Sequence, residues 1–165
     1  MLDPARECAP KEGEHGVYRE TYRSYEAIDV HERYGKGAQR NYATGIYYLL
    51  GAKDYSAWHR VQSDEMWHHY ASQAAKIMML DANTKEYTEV LVGSVLSGHQ
   101  PQFLVKLGTW FAAHVLHEDN DNAFELSGCT VAPGFDFADF ELAQRDALSA
   151  EFPEHHEIIR SYTSQ

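Results

Sequence analysis

The side chains best suited to chemistry cluster in residues 58–70, which hold three histidines, one glutamate and two tryptophans. Imidazole and carboxylate groups bind transition metals, and they are also the usual general acids and bases of enzymes. If this stretch forms a β-hairpin, alternation places Glu65, Trp67 and His69 on one face and His68 on the other. Consecutive histidines on a strand therefore cannot both face one pocket unless a bulge intervenes. The segment predicts a pocket for which metal binding and acid–base catalysis are both open.

Each of these residues also has a purely structural interpretation. A histidine such as His59 can be a satisfied, partly exposed side chain, and Glu65 can be a solvated carboxylate at a strand end. The two tryptophans, Trp58 and Trp67, can simply fill a hydrophobic core. The clustering of these groups keeps the functional interpretation open beside the structural one.

Short β-like segments separated by turn residues make up most of the chain. Residues 17–23 alternate large apolar with charged side chains, as a half-buried strand does. Further segments rich in β-branched and aromatic residues follow, with breaks at Gly98, Gly108 and Gly128. These predicted strands are residues 42–50, 57–61, 65–70, 76–80, 86–92, 101–107, 109–116 and 124–131. Many short strands with turns between them predict an all-β sandwich or barrel.

The C-terminal end of the chain has a different period. Apolar residues at helical spacing predict one helix over residues 140–150 and a second over residues 154–162. Pro153 separates them, because proline is not tolerated inside a helix. We expect both helices to pack on the outside of the β unit. Residues 31–41, with two glycines and few apolar groups, are predicted to form a loop.

Length and charge narrow the function classes. The 165 residues predict a single domain over residues 17–165, preceded by a flexible N-terminal arm over residues 1–16. The net charge of −11 argues against nucleic-acid binding, because affinity for phosphate backbones comes from lysine and arginine. No apolar run is long enough to span a membrane, and residues 1–10 lack the apolar region of a signal peptide. With only two cysteines, the sequence predicts a cytoplasmic protein without a disulfide framework.

Four blocks of the sequence resemble the cupin-5 family, formerly grouped as domain of unknown function 985. Residues 57–70, AWHRVQSDEMWHHY, resemble the hairpin signature of these small cupins. Residues 17–24 resemble the family's first strand, residues 101–113 its second cupin motif and residues 128–142 its C-terminal signature. Together the blocks cover most of residues 17–162, in the order that the family has them.

The resemblance implies an all-β fold, the double-stranded β-helix or jelly-roll barrel of cupins, with the two short helices at its C-terminal end. It also implies a small-molecule pocket inside the barrel. The family is often dimeric and pairs its sheets through an N-terminal strand. Residues 17–23 are compatible with such an exchange, and we therefore expect a homodimer.

The metal ligands of the cupin superfamily can be compared with this chain position by position. The first motif, His-x-His-x3-Glu, falls on His59, Val61 and Glu65. In the second motif, Pro-x-Gly-x2-His, the ligand position falls on Phe111. Two of the four ligand positions are thus apolar, and the remaining pair is too small to hold a structural ion alone. We expect no cofactor; a divalent metal, if bound, would be held by His59, Glu65 and Gln102.

Sugar-nucleotide epimerases of the same superfamily use a histidine at the first motif position as a base and a tyrosine as an acid. The resemblance implies His59 as the base, with Glu65 orienting its imidazole. Tyr47, Tyr48 and Tyr70 are candidates for the acid, and the sequence does not choose among them. Tyr70 stands with His59 and Glu65 in the predicted catalytic set.

Aromatic and amide side chains complete the predicted pocket. Trp67 and Trp110 are expected to stack on a sugar ring or another planar ligand, and Gln102 to bond to its polar edge. His68 and Tyr47 are the other predicted ligand-binding residues.

Three functions follow from these expectations. The first is an enzyme that isomerises, epimerises or cyclises a small polar, carbonyl-containing or sugar-like metabolite by acid–base chemistry. The second is a non-catalytic protein that binds a small molecule in the same pocket. The third is a metal-dependent cupin enzyme such as a dioxygenase.

Overall fold

The computed structural model describes residues 16–30, 34–116 and 120–163, and within those ranges the chain is mainly β-strand. The strands are β1 Val17–Arg23, β2 Ala27–Asp29, β3 Gln39–Asn41, β4 Thr44–Gly51, β5 Tyr55–Val61, β6 Asp64–Ser72, β7 Ala75–Leu80, β8 Tyr87–Val92, β9 Gln102–Val105, β10 Trp110–Val115, β11 Phe124–Ala132 and β12 Phe140–Leu142. The helices are α1 Arg145–Glu151 and α2 His156–Ser161.

Two five-stranded antiparallel sheets form the barrel. The strand order is β1-β4-β11-β6-β9 in the first sheet and β12-β5-β10-β7-β8 in the second. Apart from β7 and β8, neighbouring strands are not consecutive in the chain, which is the crossing pattern of a jelly roll. One core is shared by the inner faces, with Leu50 and Trp67 from the first sheet against Ile77, Phe111 and Val115 from the second. The predicted all-β double-stranded β-helix is therefore confirmed.

The outer face of the second sheet is covered by the C-terminal helices. Trp58 and Trp110 on the sheet pack with Leu148, Phe152 and Ile159 from the helical segment, all of them buried. Pro153 starts a 3-10 turn over Pro153–His155 between the two helices. The predicted pair of helices, their separation at proline and their place outside the barrel are confirmed. Within the described chain, no helix is long and apolar enough to span a membrane.

Two boundaries differ from the sequence predictions. The segment 140–150 is not one helix: Phe140–Leu142 is an edge strand that pairs with β5, and the helix begins at Arg145. The apolar residues of this segment satisfy a helical period by coincidence, whereas Phe140 is needed beside Val61 in the sheet. In the predicted loop 31–41, Gln39–Asn41 pairs with β2, and residues 31–33 lie outside the described ranges.

The predicted N-terminal arm lies outside the described residues except for Gly16. Gly16 is buried, and a Cβ atom at this position would come within 2.6 Å of the Tyr48 hydroxyl. Only glycine therefore lets the chain pass over the end of the Tyr48 ring before β1 begins.

Candidate functional site

A cavity of about 90 Å³ lies inside the barrel. A water molecule needs roughly 10–15 Å³ of such space, so the cavity has room for a small organic molecule. Its polar wall consists of Tyr18, Thr44, Tyr48, Ser56, His59, Glu65, Trp67 and Cys129. Its apolar wall consists of Ile46, Val61, Val131, Phe135, Phe137 and Phe140.

Strand alternation brings most of these residues together. Every second residue of a strand faces the same side, so Glu65 and Trp67 of β6 point inward with Cys129 and Val131 of β11. The register pairs Cys129 with Trp67 and Val131 with Glu65, which sets the four side chains in adjacent rows.

A β-bulge in β5 adds two residues that simple alternation would not place together. Phe111 pairs with His59 and Ala113 with Ser56, so one more residue lies between the pairing positions on β5 than on β10. The extra residue changes the phase of the strand, and both Ser56 and His59 face the cavity. Trp58, between them, faces the helices and donates its Nε1–H to the carbonyl of Ile158.

The imidazole of His59 is fixed and desolvated. Its Nδ1 lies 2.7 Å from the carbonyl oxygen of Ala57 at the bulge, and because a carbonyl only accepts, Nδ1 carries the proton. The ring centroid lies 4.0 Å from that of Phe111 and 5.2 Å from that of Phe140. Burial lowers the pKa of His59 to about 4, and the bond to Ala57 opposes this shift only in part. At neutral pH the ring is uncharged, and Nε2 has the lone pair.

Glu65 and Cys129 lie side by side in the same wall. Both residues are buried, on neighbouring strands of the wall. Burial raises the pKa of the thiol well above its usual range, and the nearby carboxyl groups of Glu65 and Glu125 raise it further. Cys129 is therefore a protonated thiol at neutral pH and not a reactive nucleophile.

Trp67 and Tyr48 form one end of the cavity. Their rings meet edge to face, with centroids 5.7 Å apart. Among the residues that the structure describes, the indole nitrogen of Trp67 has no hydrogen-bond partner, and it is buried with no surface open to the cavity. Trp67 thus offers its ring, not its N–H, to a bound molecule.

Residues 9–143 match the model of the family described as Cupin superfamily (DUF985). The chain belongs to the cupin-5 family. This cupin is similar to a hypothetical protein from Leishmania major, with 29% identity and a TM-score of 0.83 over 95% of this chain and 93% of the other. It is also similar to a protein from Shewanella oneidensis, with 36% identity and a TM-score of 0.77 over 92% and 88%.

More distant structures share the fold alone. The oxalate decarboxylase of Bacillus subtilis is 13% identical, with a TM-score of 0.55 over 96% of this cupin and 38% of that enzyme. A search of curated protein sequences gave no match.

The cavity of the cupin includes three of the eight predicted site residues: His59, Glu65 and Trp67. Tyr70 and Tyr47 lie instead on the outer face of the first sheet, where each is about half exposed and their ring centroids are 5.8 Å apart. Tyr70 crosses the outer surface of Gly128. The predicted placement of Tyr70 as a catalytic acid in the pocket is therefore wrong, and among the three candidate tyrosines Tyr48 lines the cavity.

His68 and Gln102 also lie outside the barrel. They pair across β6 and β9, and Gln102 Nε2 lies 2.9 Å from His68 Nδ1. Since Trp67 and Phe103 take the inward positions of that pairing, their neighbours must face outward. Neither residue can hold a ligand or a metal ion in the cavity.

Trp110 is buried on the other side of the second sheet. It packs under the helices, and the Arg60 guanidinium lies 4.4 Å from its ring centroid. Phe111, the next residue, takes the inward position beside His59. The predicted stacking of Trp110 on a ligand in the cavity is thus corrected.

The donor groups of the cavity do not match the metal centre that cupins commonly have. Of the four usual ligand positions, His59 and Glu65 are retained, whereas Val61 and Phe111 supply no donor, and Gln102 lies outside. Among residues 16–30, 34–116 and 120–163, no three His, Cys, Asp or Glu side chains converge on a point that would hold a metal ion. This donor set does not fit a resident metal.

Sequence reasoning missed Ser56 and the phenylalanines that form part of the wall. Ser56 gave no signal, since its orientation depends on a bulge. Phe135, Phe137 and Phe140 stand in the block that resembles the family's C-terminal signature, and their spacing was the available clue. Their rings contact one another at centroid distances of 5.1, 6.2 and 6.4 Å.

A second polar cluster lies between β6 and β11, two residue pairs beyond Trp67 and Cys129. Ser127 Oγ donates to Glu125 Oε1, and His69 Nδ1 lies 3.5 Å from the same oxygen. Glu125 is completely buried, and burial raises its pKa to about 7 against the opposing bond from Ser127. The pKa of His69 is lowered by burial and by the nearby His99. These groups are not part of the cavity wall.

Proposed function

We propose that this cupin is an enzyme that moves a proton on the carbon next to a carbonyl group of a small metabolite, as an isomerase, epimerase or cyclase does. The observation that supports this proposal is a buried, neutral histidine, fixed by the carbonyl of Ala57, that lines the same cavity as a buried carboxyl group. His59 and Glu65 are both more than nine-tenths buried and line the same cavity. Such a pair suits acid–base catalysis without a cofactor.

In this mechanism His59 Nε2 accepts the proton from the carbon, and the ring becomes an imidazolium. The bond from Nδ1 to Ala57 keeps the ring in place and fixes the tautomer that leaves Nε2 able to accept. The low pKa of His59 in the absence of a ligand makes it a weak base. A negative charge nearby is therefore needed to stabilise the imidazolium that forms in this step. Glu65 lies in the same wall and stabilises the imidazolium as it forms.

Tyr48 is the proposed acid. Its phenol group lies in the wall of the cavity, and in the proposed step it donates a proton to the carbonyl oxygen as His59 removes one from carbon. The carbon–hydrogen bond breaks, a carbon–carbon double bond forms and the product of this half-reaction is an enol. In an isomerisation, the imidazolium of His59 gives its proton to the other carbon while an enol hydroxyl returns a proton to the Tyr48 phenolate. In an epimerisation, His59 removes the proton from one face of the carbon and Tyr48 donates its own proton to the opposite face of that carbon instead of to the oxygen.

Solvent exchange tests this proposal before the natural substrate is known. In D2O, the protein should introduce deuterium beside the carbonyl of small ketoses, aldoses or lactones, as followed by NMR. His59→Gln should lower the exchange rate by roughly 10²–10⁴-fold, the usual contribution of a general base. Gln102→Ala, on the outer face, is the matched control and should exchange at the wild-type rate. Equal rates for His59→Gln and wild type would remove His59 from the mechanism.

A non-catalytic binding protein is the second candidate, and the low pKa of His59 favours it. A histidine with a pKa of about 4 is a good hydrogen-bond acceptor at neutral pH but a poor base. Under this alternative, small carbonyl compounds bind in the cavity but none of them exchanges a proton for deuterium.

A further inference from the structure

We infer that the cavity selects an uncharged ligand, and that Ser56 and His59 together hold the ligand's polar group. This inference rests on the proposed function, because it names the ligand class of the same cavity. It adds Ser56, which sequence analysis did not identify, and it separates this cavity from sites that bind phosphate or carboxylate groups.

Ser56 Oγ and His59 Nε2 both face open space. Several buried polar atoms, Trp67 Nε1 among them, have neither a hydrogen-bond partner nor accessible surface. Both residues are buried, and within the chain that the structure describes no hydrogen bond joins Ser56 Oγ or His59 Nε2 to another atom. Unlike Trp67 Nε1, however, these two atoms keep accessible surface. The open space next to both side chains is the cavity. The bulge in β5 thus presents a hydroxyl group and an imidazole lone pair to the same small volume.

The charge of the wall disfavours an anion. The described wall includes the carboxyl group of Glu65, a neutral imidazole and neither lysine nor arginine. An anion that enters such a cavity loses its water without gaining a cation, whether Glu65 is ionised or protonated.

Three arginines near the barrel are already paired with carboxylates. Arg23 lies 2.7 Å from Glu20, and Arg60 lies 2.7 Å from Glu141. Arg40 lies 2.6 Å from Asp139. A ligand that took one of these arginines would have to break an ion pair, so they do not supply the missing cation.

The remaining wall is apolar and aromatic. Ile46, Val61 and the three phenylalanines after β11 leave the hydrogen-bonding groups on one side of the cavity. This arrangement suits a small aldehyde, ketone, amide, lactone or unphosphorylated sugar, whose polar group meets Ser56 and His59 while its carbon skeleton meets the apolar wall.

Acetamide and acetate test the selection, since they have nearly the same shape and differ in charge. At pH 7, NMR titration should show acetamide shifting the resonances of the His59 imidazole and the Trp67 indole. Acetate should bind at least roughly tenfold more weakly, a difference of about 1.4 kcal/mol. Ser56→Ala should weaken acetamide binding by roughly three- to tenfold, the worth of one hydrogen bond. Ser63→Ala, a buried serine outside the cavity, is the matched control and should bind acetamide normally.

The outcomes separate this inference from the proposed function. Acetate binding as tightly as acetamide overturns the selection of uncharged ligands while leaving the cavity as the site. Normal acetamide binding by Ser56→Ala overturns the role of Ser56. If neither probe changes the His59 or Trp67 resonances, the cavity is not a ligand site, and the proposed function falls together with the inference.

Discussion

The imidazole of His59 is enclosed before any ligand binds, and this enclosure sets its charge. The carbonyl of Ala57 holds one nitrogen, while Phe111 and Phe140 keep water from the ring. In many cupins the position of Phe111 holds a histidine that binds metal. Here a phenyl ring takes that place, so the histidine left behind has become a desolvated, uncharged group.

We expect the His59 imidazole to stay neutral down to about pH 4 in the folded protein, with the proton on Nδ1. Nitrogen-15 NMR of the imidazole measures both the tautomer and the midpoint. Because the pKa falls from 6.5 on folding, the unfolded chain binds more protons between pH 6.5 and 4. The titration of His59 therefore leaves the free energy of unfolding unchanged above pH 6.5 and lowers it as the pH falls from 6.5 toward 4. His59→Gln should lack this loss, and a wild-type midpoint near 6.5 would contradict the enclosure.

The raised pKa of Glu125 predicts that the free energy of unfolding falls as the pH rises, which is opposite to the effect of His59. The pKa of Glu125 rises from 4.5 to about 7 on folding, so the folded protein binds more protons than the unfolded chain between these values. Stability from this group is thus complete below pH 4.5 and declines as the pH rises to 7, by at most about 3 kcal/mol.

Urea unfolding of wild type and Glu125→Gln between pH 4.5 and 7 checks this prediction. The amide cannot ionise, so the variant should gain stability relative to wild type as the pH rises. A constant difference between the two proteins would mean that Glu125 is ionised in the folded state at pH 5. Because His69 Nδ1 lies 3.5 Å from Glu125 Oε1, the two titrations are coupled, and both proteins are compared with His69→Gln in the background to remove the titration of His69.

At the scale of the elements, the strand pattern could be predicted from the sequence, and so could part of the site. Alternation in β6 was enough to put Glu65 and Trp67 on one face and His68 on the other. The sequence could not show which of Trp110 and Phe111 faces the barrel interior. Both are large and aromatic, and the outer face of β10 is as buried as the inner one. The burial of that outer face depends on the helices, which lie some thirty-five residues further along the chain.

The bulge in β5 and the short strand β12 explain the other differences. A bulge leaves no clear trace in side-chain types, so the inward position of Ser56 could not be predicted. Phe140 satisfied a helical spacing, and only its pairing opposite Val61 shows why it belongs to a strand. Local periodicity thus identified most strands and helices, but it did not show for each of them which side chains face the interior.

Phe152 tests how strongly the helices are fastened to the second sheet. It is 2% exposed and packs in the cluster that joins the helical segment to Trp58 and Trp110. We expect Phe152→Ala to lower the free energy of unfolding by about 3–5 kcal/mol, measured by urea denaturation. Phe124→Ala, at a phenylalanine that is 42% exposed, should cost much less. Similar losses for both variants would show that the helices contribute little to the fold.

For the molecule as a whole, the two outer faces of the barrel differ in what covers them. The helices cover the second sheet, whereas on the first sheet Tyr47 and Tyr70 remain half exposed beside Leu49, Leu104 and Phe124. Several large exposed apolar side chains on one face of a sheet mark an interaction site more often than free surface. We propose that this face pairs with a second copy of the chain. The family resemblance led us to expect a homodimer, but one formed through exchange of residues 17–23.

The charge of the chain makes this pairing dependent on salt. Each copy has a net charge of −11, so two copies repel each other, and salt screens the repulsion. We expect a dimer in sedimentation experiments at micromolar concentration, with a dissociation constant that falls as the salt concentration rises.

Tyr70→Arg should weaken the dimer strongly, because it places an unpaired charge in an apolar interface, even though it makes the chain less negative. Leu96→Arg changes the charge equally at a residue that is 97% exposed on the loop between β8 and β9, and it should leave the dimer intact. A monomer at all salt concentrations, or equal effects of the two substitutions, would show that the first sheet is not the interface.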